Sequence, residues 1–134
     1  MMNQQESEIL KDSSKEVNEY LERSIPVLEG LLVPLREGRS VEPISSLASA
    51  ADGFGGLVQY ASSARKLLDP ANADLANAFH QFESRLAAAL EPMVAGMDAQ
   101  DAVLVADVVE YELIPALKEL QSAVWDVLSQ SNIH

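Results

Sequence analysis

Apolar residues return every third or fourth position through almost the whole chain, and that spacing places them on one side of an α-helix. Val17, Leu21, Leu28, Leu31 and Leu35 mark a first segment. Leu47, Ala51, Phe54, Val58, Ala61 and Leu68 mark a second. Leu75, Phe79, Phe82, Leu86, Ala89 and Met93 mark a third, and Val109, Leu113, Leu117, Leu120, Val124 and Leu128 mark a fourth that runs from about Gln100 to Ser129. Alternating β-branched runs and hairpin dipeptides are missing, so strands are not expected. Each stripe needs a facing stripe to leave water, and the connections are short. The expected fold is all-α: an antiparallel up-down-up-down four-helix bundle forming a single domain over residues 1–134, with residues 1–7 frayed for want of anything to bury. EGRS (Glu37 to Ser40) and Asp69-Pro70 supply stops. Ser40, Asp98 and Asn72 or Asp69 are candidate caps.

Pro26, Pro92 and Pro115 fall well inside these segments. An interior proline removes a hydrogen bond and crowds the carbonyl four residues back, at a cost of about 3 kcal/mol unless that carbonyl reaches water. On the wheel all three lie away from the apolar stripes, so proline-kinked helices bending around the core are expected, with the carbonyls of Glu22, Ala88 and Tyr111 facing solvent. The same mechanics account for the phrase shared by IPVLEGL (Ile25 to Leu31) and IPALKEL (Ile114 to Leu120) without a duplication. GFGG (Gly53 to Gly56) is placed inside the second helix, as a site of tight packing or a local kink and not as a phosphate cradle.

The chain has 21 acidic and 9 basic residues, a formal net charge of -12, and no cysteine. Such a charge repels phosphate backbones and anionic headgroups, so neither nucleic acid nor membrane is an expected partner. The polar N-terminus does not read as a secretory signal and no apolar run approaches a membrane span; a cytoplasmic location is expected.

Two charged residues break the stripes. Glu110 falls among Ala106, Val109, Leu113 and Leu117, and Arg65 sits between Ala61 and Leu68. Each must be paired, or reach water along its own stem. A mutual ion pair between Arg65 and Glu110 across the second and fourth helices is the specific expectation, and a ligand-binding bundle around that pair is one alternative function. A second apolar strip on the fourth helix, Leu104, Val108, Tyr111 and Pro115, steps by four, three and four and forms a candidate interface with another protein or a second copy.

Enzyme chemistry finds little footing. Histidine occurs only as His80 and His134, too few for a di-metal bundle site, and no nucleophile stands at motif spacing from a base. No cofactor or metal is expected. His80 lies off the Phe79/Phe82 stripe, and an acidic four-helix bundle with one exposed histidine is similar to the phosphotransfer domains of two-component relays. AFHQFES lacks the lysine and glycine that follow the histidine there, so a phosphorelay or sensory role through His80 is a second alternative.

YLERSIPVLEGL (Tyr20 to Leu31), EGRSVEPISSLA (Glu37 to Ala48), ADGFGGLV (Ala51 to Val58) and YELIPAL (Tyr111 to Leu117) together resemble a family of small uncharacterised helical proteins of Gram-positive, often spore-forming bacteria. A tryptophan expected three residues after YELIPAL is Leu120 here. The resemblance implies a bacterial helical domain and carries no activity. The leading expectation is a non-enzymatic protein that works by association through its fourth helix, as a homodimer or as an adaptor. A flagellar-type export chaperone, similar in size, helicity and acidity, is one concrete case.

Overall fold

A computed structural model describes residues 3–130; the terminal His134 and the N-terminal Met1 and Met2 lie outside the described residues. Every element described is helical: α1 Gln4–Arg36, α2 Val41–Ala51, α3 Phe54–Leu68, α4 Ala73–Asp98, α5 Ala102–Val108, a π-helical turn Val109–Leu113, and α6 Ile114–Ser129. They form a helical bundle. The first and third expected helices are α1 and α4, the second is divided between α2 and α3, and the fourth is α5, the π turn and α6 end to end. No described helix is long and apolar enough to cross a membrane.

The N-terminus differs from expectation from residue 3 onward. Asn3 accepts a hydrogen bond from the Glu6 amide while the Glu6 carboxylate accepts one from the Asn3 amide, a reciprocal capping box that satisfies two otherwise unpaired donors. Helix α1 therefore starts at Gln4, and Ser7 is already buried. At the other end of α1, Gly38 adopts a left-handed φ of 86°, and the Arg39 amide bonds back to the Pro34 carbonyl. Asn72 caps α4 through the Leu75 amide, as the sequence indicates. Ser40 makes no side-chain cap, and Asp101, not Asp98, caps α5.

The second helix breaks at Asp52 and Gly53 because of what packs there. Tyr20 of α1 donates its hydroxyl to the Ala50 carbonyl at 3.0 Å, so its ring lies across the end of α2. A Cβ at Gly53 would collide with that ring and hydroxyl. The glycine thus serves a close approach from α1, and GFGG opens α3 instead of lying inside a longer helix. The break also resets the helical phase: α3 buries Phe54, Leu57, Tyr60, Ala61, Ala64 and Leu68. Val58 is only partly buried.

The core joins α1, α3, α4 and α6 through Leu21, Leu28, Leu68, Phe79, Phe82, Leu86, Leu117 and Leu120, all fully buried. One polar contact lies within it. The Tyr60 hydroxyl meets the Ser14 hydroxyl at 2.6 Å, and the Tyr60 ring stands edge-on to Phe79 with centroids 5.6 Å apart. Burial pushes the Tyr60 phenol up to about 12 from 10.0, partly opposed by the bond to Ser14. Between pH 10 and about 12 the unfolded chain ionises this phenol and the native state does not, so stability present below pH 10 declines through that window. The expected slope is about 1.4 kcal/mol per pH unit. Urea denaturation at successive pH values, compared with Tyr60→Phe, checks it: the variant should lose that component of the slope and about 1 kcal/mol at neutral pH.

Candidate functional site

The fourth helix is where the fold departs most from a regular wheel. Over Val109–Leu113 the backbone widens, and the Ile114 amide donates to the Val109 carbonyl, five residues back. Five residues apart on an α-helix are about 140° out of phase. Here Val109 and Ile114 are both buried, since the wide turn brings them onto one face. A π turn acts as a one-residue insertion, and such turns gather at functional positions. Its place next to Pro115 also has a physical reason. Proline has no amide to close the turn, so the ladder before it is already open.

This change of phase redraws the candidate interface. Val108 is 4% exposed and belongs to the core, contrary to its expected place on an outer strip. Tyr111, three residues on, is 67% exposed, Leu104 is 40% exposed, and Pro115 is partly buried. Tyr111 and Pro115 form a shallow groove of about 250 Å³ with Ala88 of α4, edged by Arg85 and Glu112. Further along, Leu104 and Val105 pack on Gly96, where a Cβ would come within 3.0 Å of Val105. The outer face of the fourth helix thus carries Leu104, Tyr111 and Pro115 beside the small residues of α4, with Val108 beneath.

The expected Arg65–Glu110 pair does not form. Glu110, moved outward by the π turn, receives Arg36 of α1 at 2.6 Å, and the same guanidinium reaches Asp107 at 3.1 Å. Arg36 therefore spans the start of the π turn. Arg65 instead donates Nε to Glu83 of α4 at 2.8 Å, within a helix pair that a wheel of α3 alone does not show. Glu83 is the better-shielded carboxylate, with its side chain 18% exposed. Lys118 with Glu29, and Arg85 with Glu119, tie α6 to α1 and α4. Trp125 donates its indole N–H to Asn18 at 2.7 Å.

His80 is exposed on α4, as expected, and its neighbours are informative. With Arg65, Lys66, Asp69 and Asn77 it lines an open cleft of about 480 Å³ at the α3–α4 turn. Arg65 and His80, singled out in the sequence for unrelated reasons, thus share one cleft. No group of three or more histidine and acidic residues able to hold a metal occurs among the described residues.

The fold defines an all-helical bundle protein whose fourth helix turns through a π segment. The chain belongs to the family described as "Domain of unknown function (DUF8042)", whose model matches residues 12–123. That span covers α1 from Asp12 to the middle of α6, including the π turn and the groove beside it. No curated protein and no solved structure matches the chain.

Proposed function

We propose that this protein works by binding another protein, not by catalysis, and that the partner seats on the fourth helix over Leu104, Tyr111 and Pro115. The observation that carries the reading is Tyr111: a large aromatic ring, two-thirds exposed, beside a groove floored by Pro115 and Ala88. Exposed tyrosines flanked by apolar surface are the kind of side chain that anchors interfaces. Charge favours a partner segment with basic flanks over a second copy. Of the two charges edging the groove, Arg85 is paired with Glu119 while Glu112 has no ion pair among the described residues, and two copies of the chain would bring together two charges of -12.

The bundle presenting this face is read as antiparallel and up-down-up-down. In support, contacts from α1 to the fourth helix run in opposite senses: Arg36 to Asp107, Glu29 to Lys118, Asn18 to Trp125. Proline kinks belong to the same reading. Each residue four before a helical proline is exposed: Glu22 before Pro26, Gly30 before Pro34, Ala88 before Pro92 and Tyr111 before Pro115.

The test compares wild type with Leu104→Glu/Tyr111→Glu, both positions being exposed so that helicity by circular dichroism is expected to stay unchanged. A partner captured by wild type is purified and titrated directly. The double variant should weaken binding at least ten-fold, about 1.4 kcal/mol. Unchanged affinity would remove this face as the site, and a wild-type dimer by sedimentation, dissociated by the same substitutions, would replace the separate partner with a second copy.

A further inference from the structure

The cleft between the end of α3 and the start of α4 is the exception to the acidity of this chain. Arg65 and Lys66 are the one place in the sequence where two basic residues are adjacent, and α4 adds His80 and Asn77 to the same walls. Basic residues in the last turn of α3 suit that helix's own dipole. That explains the adjacent pair but not why α4 turns a histidine and an asparagine towards it. Arg65 is held in place: Nε is fixed by Glu83, while the terminal nitrogens have one long contact, 3.5 Å to the Ser62 hydroxyl. Lys66 and His80 have no side-chain hydrogen bond or ion pair among the described residues. The cleft therefore offers donors from two helices, with the most buried of them already oriented, in a volume suited to a small molecule.

We propose that this cleft binds a small ligand through a single oxyanion group, carboxylate or phosphate, set between Lys66 and His80 with the Arg65 guanidinium behind them. Asp69 lines the same cleft and would meet such a ligand as an acceptor. The ligand therefore carries a hydrogen-bond donor as well, and a bare polyanion is disfavoured. The site is separate from the face of the fourth helix, and neither proposal depends on the other.

The experiment titrates inorganic phosphate, and in a parallel arm glycolate, into the full chain at constant ionic strength, following the His80 ring resonances. Saturable shifts are expected with half-saturation in the millimolar range, roughly 1–10 mM for an open charged site. Saturation by phosphate alone assigns the phosphate class and saturation by glycolate the carboxylate class, since each probe supplies an O–H donor for Asp69. Lys66→Gln and His80→Gln, both at exposed positions, should each weaken binding about three- to five-fold, the variants of His80 being followed through backbone amides. Linear shifts that chloride reproduces, or an affinity unchanged in the Lys66→Gln/His80→Gln double variant, would overturn the assignment.

Discussion

Deleting Ser122 from α6 is expected to unfold the protein, whereas deleting Glu112 from the π turn is not. Both residues are exposed, so neither deletion removes a buried side chain. The difference lies in phase. A residue lost at position 122 rotates everything beyond it by about 100° relative to everything before it. If the C-terminal part turns, Ala123, Val124 and Val127 leave the core; if the π turn closes to compensate, Leu117 and Leu120 leave instead. Each large apolar side chain returned to water forfeits about 1.5–3 kcal/mol. The sum takes most of the roughly 5–15 kcal/mol that holds a domain of this kind together. Deleting Glu112 instead converts the wide turn to an ordinary one. Val105 and Val109 on one side, and Leu113 and Leu117 on the other, keep their face. The expected cost is below about 2 kcal/mol, within the range of tolerated changes. Thermal and urea unfolding of the two deletions measures it; similar losses for both would mean that the helix has no spare residue at this turn.

Phe79→Ala carries the second large expectation, a loss of about 3–5 kcal/mol. Phe79 is fully buried on α4 and its ring borders that of Tyr60 on α3, which in turn holds Ser14 of α1. The cavity therefore opens where three helices meet, and the Tyr60–Ser14 hydrogen bond loses the wall that positions it. A Tyr60→Phe background separates the two contributions. There the hydrogen bond is already gone, and Phe79→Ala should cost about 1 kcal/mol less than in wild type. Full additivity of the two substitutions would show that Phe79 packs without supporting the polar contact.

The positions of Phe79, Phe82, Leu86, Leu117 and Leu120 in the core were legible in the sequence, because a helix that obeys one period declares its buried side. The same rule failed where the period changes. Nothing in ADGFGG states that Tyr20 lies across Gly53, for that contact comes from the middle of α1, distant in sequence, and decides where one helix becomes two. In VVEYELIP the proline was visible, but its consequence was not. An α-helical wheel drawn through Pro115 puts Glu110 inside and Val108 outside, and the π turn reverses both. A signal for it exists: Val109 and Ile114 are apolar five residues apart, immediately before a residue that cannot donate.

The Arg65–Glu110 expectation failed for a related reason. A wheel reports which side of a helix a residue is on, but not which neighbour stands opposite, and Glu83 and Arg36 were nearer. Asn3-x-x-Glu6 was readable as a capping box and would have predicted an ordered start. The cleft holding Arg65 and His80 was not readable at all, because it depends on how the α3–α4 turn folds back.

The burial of Val108 and the exposure of Tyr111 on the fourth helix both go with the wide turn at Val109–Leu113. Scalar coupling across backbone hydrogen bonds reads that turn directly by NMR. The amide nitrogen of Ile114 should couple to the carbonyl carbon of Val109, five residues back. Coupling to the carbonyl carbon of Glu110 would mean an uninterrupted α-helix, and would rule out the π turn.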